Sequence, residues 1–193
     1  MATKVAIIGR GNVGSALQRG LQRVGCEVRI AGKQPGAVRE EGAWSEVIFL
    51  AVPFGAIDDT LKELGDAVKG KVLVDVTNAL TPDYQLALGC TTSGAEELQK
   101  KASGAKVVKA FNTVFAVHMD KGKVKGETLT LFVAGDDAAA KERVLKLGRD
   151  IGFDALDAGP LRNARWLETL GYFNIQLAFT QKLGSETGFR YVH

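Results

Sequence analysis

Apolar residues follow two patterns along this chain. Short unbroken runs stop at glycine or proline: Val5-Ala6-Ile7-Ile8 ends at Gly9, and Val47-Ile48-Phe49-Leu50-Ala51-Val52 ends at Pro53. Runs of that length without polar alternation predict strands buried on both faces. Between them, Val13, Leu17, Leu21 and Val24 stand four, four and three residues apart, which predicts one apolar stripe on a helix that starts at Asn12 and stops at Gly25. Further strands are predicted over 27–31, 71–76, 106–110, 128–134 and 153–156, and helices over 56–68, 95–102 and 137–151. Residues 161–180 predict one long terminal helix. Only about 15 residues without a clear period separate the second strand from the run at 47, too few for the usual second helix and third strand. The alternation predicts a single α/β unit: a mostly parallel, doubly wound sheet over residues 1–160, with a C-terminal helix and tail over 161–193.

Composition narrows the classes. A chain of 193 residues, 46% hydrophobic and 24% charged, suits one soluble domain with a real core and excludes disorder and fibres. The opening apolar run is far shorter than the roughly 18 residues of a membrane span and unlike a signal peptide, so a cytoplasmic protein is expected, with no membrane partner. Cys26 and Cys90 have no metal-ligand spacing and read as unlinked thiols. Against 22 acidic residues stand 25 Lys and Arg, a net charge of +3 with the basic residues scattered, which does not indicate nucleic acid. The 23 glycines lie between apolar runs, where tight turns belong.

One group of glycines has a chemical reading. Gly9-Arg10-Gly11-Asn12-Val13-Gly14 leaves the first strand directly and opens the first helix. In that context the pattern predicts a Rossmann-like dinucleotide site: Gly9 for the tight turn, Gly11 for close backbone approach to a pyrophosphate, and Gly14 for packing of helix on sheet. The amides of Asn12 and Val13 would hold the phosphates. An acid roughly 20 residues further on would hold the ribose hydroxyls of NAD. Here Ala31-Gly32-Lys33-Gln34 offers none. Gly32 leaves room for a 2′-phosphate, and Lys33, with Arg10 over the adenine, supplies positive charge, which favours NADP(H). Ligands of such sheets bind outside the carboxyl ends of the strands, which nominates Ala51, Val52, Pro53 and Asn78 around a nicotinamide, with Asn78 bonding its carboxamide, and Asn112, Thr113 and Val114 beyond.

Missing residues are informative too. Neither Tyr84 nor Tyr172 has a lysine four residues on, and there is no nucleophile elbow and no phosphate-loop lysine. His118 and His193 lack metal-ligand spacing, and His118 reads as structural or surface. No metal site and no protein acid or base are expected. Hydride transfer between two stacked rings, where orientation does most of the work, needs neither.

Taken together, Gly9 to Gly14, Ala51-Val52-Pro53, Asp75-Val76-Thr77-Asn78, Lys109-Ala110-Phe111-Asn112-Thr113, Gly135-Asp136-Asp137 and the segment from Asp157 to Glu168 resemble the family of coenzyme F420-dependent NADP oxidoreductases over almost the whole chain. The cytoplasmic domains of six-transmembrane metalloreductases are similar. The resemblance implies NADP(H) bound on the residues above, with Gly32-Lys33 where the family usually has Ser-Arg. It also implies a second pocket for a deazaflavin or flavin ring, lined by Asn112, Thr113, Val114 and Phe115, by Gly159, Pro160 and Leu161, and by the tail around Thr187. It further implies a homodimer through the terminal helix, whose Trp166, Leu167, Leu170 and Phe173 are apolar on more than one face. Asn112 stands where the deazaflavin enzymes commonly carry histidine and Phe115 where they carry proline, which widens the acceptor to FMN or FAD. The alternative is a catalytically weak NADP(H)-binding sensor or scaffold.

Overall fold

The runs at 5–8, 47–50 and 72–75 lie side by side in the middle of one sheet, where residues without polar alternation can be covered on both faces. The computed structural model describes residues 2–32, 34–89 and 91–192. Among them the elements run β1 (Lys4–Ile8), α1 (Asn12–Arg23), β2 (Glu27–Ala31), α2 (Ala37–Trp44), β3 (Val47–Leu50), α3 (Ile57–Leu64), β4 (Val72–Asp75), α4 (Gly94–Lys101), β5 (Lys106–Lys109), β6 (Lys123–Val124), β7 (Glu127–Thr128), β8 (Thr130–Gly135), α5 (Ala138–Ile151), β9 (Asp154–Asp157) and α6 (Ala164–Ile175). Seven strands form the main sheet in the order β2-β1-β3-β4-β5-β8-β9, and β6 and β7 form a small hairpin. The fold is α/β, Rossmann-like and mostly parallel. The exception is β8, which runs antiparallel to β5, with Lys109 opposite Ala134, while β9 returns parallel to β8.

Alternate residues of β1 feed two cores. Val5 and Ile7 pack with Leu17 and Leu21 of α1 and Val144 of α5, whereas Ala6 and Ile8 pack with Val38, Leu64 and Leu98 of α2, α3 and α4 and with Ala164 of α6. Helices therefore cover both faces, and the carboxyl ends of the parallel strands open at one rim. Cys26 is a free, half-buried thiol whose pKa is pushed up by burial and by nearby Asp150; Cys90 and His193 lie outside the described residues.

Two sequence expectations are corrected. The second helix is not lost: α2 is present, entered through Gly36 in the left-handed region (φ +80°). It buries only Val38 and Gly42, so its eight residues show no apolar period. A Cβ on Gly42 would stand 2.5 Å from Leu64 Cδ2, which is why glycine lets α2 lie close on α3. The third strand is absent among the described residues, for β1 pairs directly with β3 and β2 is left at the sheet edge. The terminal segment is helical over the whole expected span, 161–180, but not α throughout. It begins with a 3-10 turn at Leu161–Asn163, continues as α6 and ends in a π-turn at Gln176–Thr180. The tail then returns to the sheet, where Thr130 N–H donates to Phe189 O (3.0 Å) and Tyr191 N–H to Thr130 Oγ1 (2.9 Å).

Candidate functional site

The turn after β1 is closed by backbone. Gly9 has φ +114°, and a Cβ there would stand 2.2 Å from Ala51 O; a Cβ on Gly14 would stand 1.9 Å from Gly9 O. No side chain fits at either position. Gly11 differs: it caps α1 with extended backbone (φ −80°, ψ −169°), and a Cβ there would meet nothing within 4 Å. The space beside it is open to a ligand. The first amides of α1 have no acceptor within the helix, no side chain caps them and no acid sits in the first turn, so the helix start suits an anion.

On either side of this turn lie two hollows that share Gly11, Ala51, Val52 and Pro53. One, of about 680 Å³, lies on the β2 side and is bounded by Gly9, Arg10, Gly32, Val38, Thr60 and Glu63. The other, of about 350 Å³, lies toward β4 and is bounded by Asn12, Val13, Phe54, Val76, Thr77 and Asn78. Together they form one crevice across the carboxyl ends of β1, β3 and β4, at the point where the strand order reverses. Arg10 folds back along β2, its Nη2 donating to Ile30 O (3.4 Å), and its Nε would be 4.0 Å from a Cβ on Gly32. Lys33, expected beside a 2′-phosphate, lies outside the described residues.

Asn78 is already engaged. Its Nδ2 donates to Asn112 O (3.0 Å), and Asn112 Nδ2 donates both to Asn78 Oδ1 (3.0 Å) and to Leu167 O (2.8 Å). The second N–H of Asn78 Nδ2 has no acceptor among the described residues. This knot needs Gly171, which sequence reasoning missed: a Cβ there would stand 2.5 Å from Asn78 Oδ1 and 2.7 Å from Asn112 Nδ2. A lone glycine inside an apolar helical run was the available signal. Asn112 is aimed by Phe111, held in the left-handed region (φ +66°) and buried edge-on against Phe49 and Phe153.

Of the expected second pocket, Asn112 and Thr113 are buried behind Asn78, which lines the crevice, with Asn174 Nδ2 donating to Thr113 O (3.1 Å). Val114 is buried, and Phe115 meets Phe179 edge to face at 5.9 Å. Pro160 and Leu161 border a separate hollow of about 550 Å³ with Glu96, Gln99 and Asp136. Gly159 O accepts from Gly135 N (3.1 Å), and Thr187 Oγ1 donates to Gly184 O (3.2 Å) in the tail. The structure therefore does not gather these residues around one cavity. His118 is buried, with Nε2 3.0 Å from Ser185 O, a structural position.

Behind Thr77 lies a buried charge cluster whose members stand far apart in the sequence, in the segments 75–78, 109–113 and 157–168. The Lys109 ammonium, fully buried, stands 2.8 Å from Asp75 Oδ2 and 2.9 Å from Glu168 Oε1, and donates to Thr77 O (2.6 Å). Asp75 Oδ1 accepts from Thr77 N (2.9 Å), and Glu168 accepts from Gly94 N (2.9 Å) and Ala95 N (3.3 Å) at the start of α4. Burial by itself would lower the lysine pKa; the two carboxylates outweigh it and hold it above the ordinary value. The cluster fixes the peptide of Thr77 from both sides and ties α6 to β4, β5 and α4. A lysine in the apolar run Val107-Val108-Lys109-Ala110 was its sign.

Residues 4–79 match the family described as NADP oxidoreductase coenzyme F420-dependent. The F420-dependent NADP reductase of Methanocaldococcus jannaschii is 30% identical over 157 residues, which cover 78% of this chain and 68% of that one. Metalloreductase STEAP3 of Rattus norvegicus is 34% identical over 182 residues, 88% of this chain; the chain spans only 36% of that relative's length. A crystal structure of a protein from Arthrobacter sp. FB24, assigned as an F420-dependent NADP reductase, superimposes with a TM-score of 0.91 at 28% identity, each chain fully covered. No helix among the described residues is long and apolar enough to cross a membrane.

Proposed function

The chain belongs to the family of coenzyme F420-dependent NADP oxidoreductases, and from that premise we propose that it is an NADP-dependent oxidoreductase that moves a hydride between NADP(H) and a flat electron carrier, coenzyme F420 or a flavin. The nicotinamide supplies or accepts the hydride. The observation that carries this reading is the lining of the hollow toward β4, in which no side chain is titratable. Such a site can align two rings and exclude water, and it suits a step that asks for orientation rather than a protein acid or base.

Each part of the crevice then has a task. The amides at the start of α1 hold the pyrophosphate, and the closed turn at Gly9 and Gly14 fixes their direction. Val52 and Pro53 flank the nicotinamide. The free N–H of Asn78 and the hydroxyl of Thr77, which has no hydrogen-bond partner among the described residues, meet its carboxamide. Asn112 and Thr113 border the carrier. Trp166, Phe173 and Phe179, each more than half exposed, support a homodimer contact on the terminal segment, which sedimentation of the purified chain tests directly.

The decisive experiment is anaerobic turnover with NADPH and, separately, oxidised coenzyme F420, FMN, FAD or a ferric chelate, with NADH in parallel. Rapid bleaching of one ring carrier is expected; reduction of the chelate without a ring carrier would point to a metalloreductase activity. Binding of NADPH with no turnover on any carrier would leave a sensor. For the cofactor half, Lys33→Ala should weaken NADPH binding about tenfold and leave NADH nearly unchanged, as loss of one charge-assisted phosphate contact implies. Equal losses for the two in a calorimetric titration would remove the 2′-phosphate assignment.

A further inference from the structure

Three buried side-chain oxygens lack a hydrogen-bond partner among the described residues: Glu63 Oε1, Thr77 Oγ1 and Asn112 Oδ1. Buried polar atoms are seldom left unpaired, because an unmade bond leaves the desolvation penalty uncompensated. Two of them belong to residues that line the crevice, and the third to a residue bonded to its lining. Thr77 lines its β4 side, Asn112 is bonded to Asn78 there, and Glu63 lines the hollow on the β2 side. Their common location points to a ligand as the missing partner.

Glu63 is the one that the dinucleotide reading has not used. With Thr60 and the N-cap residue Ala56 it forms the wall that α3 and its cap turn toward the hollow, since the three stand four and three residues apart. Thr60 has spent its hydroxyl hydrogen on Ala56 O (2.8 Å). The neighbouring guanidinium of Arg39 donates through Nε to the backbone oxygen of Glu63 (3.3 Å), not to its carboxylate. Val38 supplies an apolar surface to the same hollow. A flat group with a hydrogen-bond donor on its edge fits this lining.

In a dinucleotide laid across this sheet the adenosine half falls on the β2 side. The only donor on the adenine ring is its exocyclic amino group, and the only unpaired buried side-chain acceptor on that side, among the described residues, is Glu63 Oε1. We propose that Glu63 reads the base, its carboxylate accepting a hydrogen bond from the adenine amino group and so selecting adenine over hypoxanthine, whose carbonyl at that position would face the carboxylate oxygen. The inference rests on the NADP(H) reading and adds the base specificity of the same site.

The test uses the full chain and two ligands, NADPH and its hypoxanthine analogue, with dissociation constants read from nicotinamide fluorescence. NADPH should bind at least about tenfold tighter, because a buried acceptor left facing an acceptor is strongly disfavoured. Glu63→Gln offers an amide that can donate to the hypoxanthine carbonyl, so the preference should fall to within about threefold while the thermal transition stays near that of the parent. Equal binding of the two ligands by the parent chain overturns the proposal, as does an unchanged preference in Glu63→Gln. A variant that gains NADPH affinity while losing NADH affinity also overturns it, since the carboxylate would then face the ribose. If the parent binds no NADPH at all, the cofactor reading falls with it, a result distinct from equal binding of both analogues.

Discussion

Gly11→Val should fold like the parent chain and lose NADP(H). Gly11 has an extended backbone that any residue adopts, and a Cβ there meets nothing within 4 Å, so the substitution forces no clash. Its stability loss should stay within the roughly 1 kcal/mol of a weaker helix cap. The valine side chain would fill the space through which a pyrophosphate reaches the first amides of α1, and affinity for both NADPH and NADH should drop more than about a hundredfold, on the order of 3 kcal/mol. Gly14→Val makes the contrast, because its Cβ would sit 1.9 Å from Gly9 O and the turn itself must give way. Thermal scans beside fluorescence titrations separate the two. Retention of tight NADPH binding by Gly11→Val would show that the phosphates lie elsewhere.

Lys109→Met should destabilise the chain by about 3–5 kcal/mol at neutral pH, because it strips the cation from two buried carboxylates. The parent's lysine pKa is raised, so its contribution is complete below about 10.4, the ordinary lysine value, and is lost only as pH rises through the higher folded-state value. Adding Glu168→Gln should recover part of the loss. Urea unfolding at pH 7 measures all three chains, and a double variant no more stable than Lys109→Met would mean that the lost stability lies in packing.

The strands and the glycine turn were legible in the sequence because each rests on local chemistry: unbroken apolar runs for β1 and β3, and a glycine at each position where backbone meets backbone. What escaped was tertiary. α2 has too small a buried stripe to leave a period, and the turn from α6 into a wider helix at Gln176 carries no breaker residue. The segment from Asp157 to Glu168, the most family-specific stretch, suggests a pocket when read as a string; in space much of it fastens elements together. Leu161 N–H donates to Asp136 Oδ1 (2.9 Å), Asn163 Nδ2 to Ala158 O (2.6 Å), Arg165 pairs with Glu96 through two bonds (2.8 and 2.7 Å), and Glu168 joins Lys109. The Arg165 guanidinium holds the Glu96 carboxyl below the usual carboxylate range. Neither the Asp75–Lys109 pair nor the Asn78–Asn112 knot has a spacing that sequence reading could decode, because only the sheet brings their loops together.

The missing third strand leaves β2 with one side unpaired, and an open strand edge invites a second chain to add to it, the first step of sheet-to-sheet aggregation. Glu27 and Arg29, the exposed members of an otherwise apolar strand, discourage that addition, and Arg29 is further held by Glu41 (3.4 Å) and by the ring of Trp44, 4.2 Å below its guanidinium. At this edge the opposition to strand addition therefore rests on two charges. A pair of β-branched residues at 27 and 29 would suit the strand and satisfy its local propensity, yet would leave a chain that folds and then precipitates.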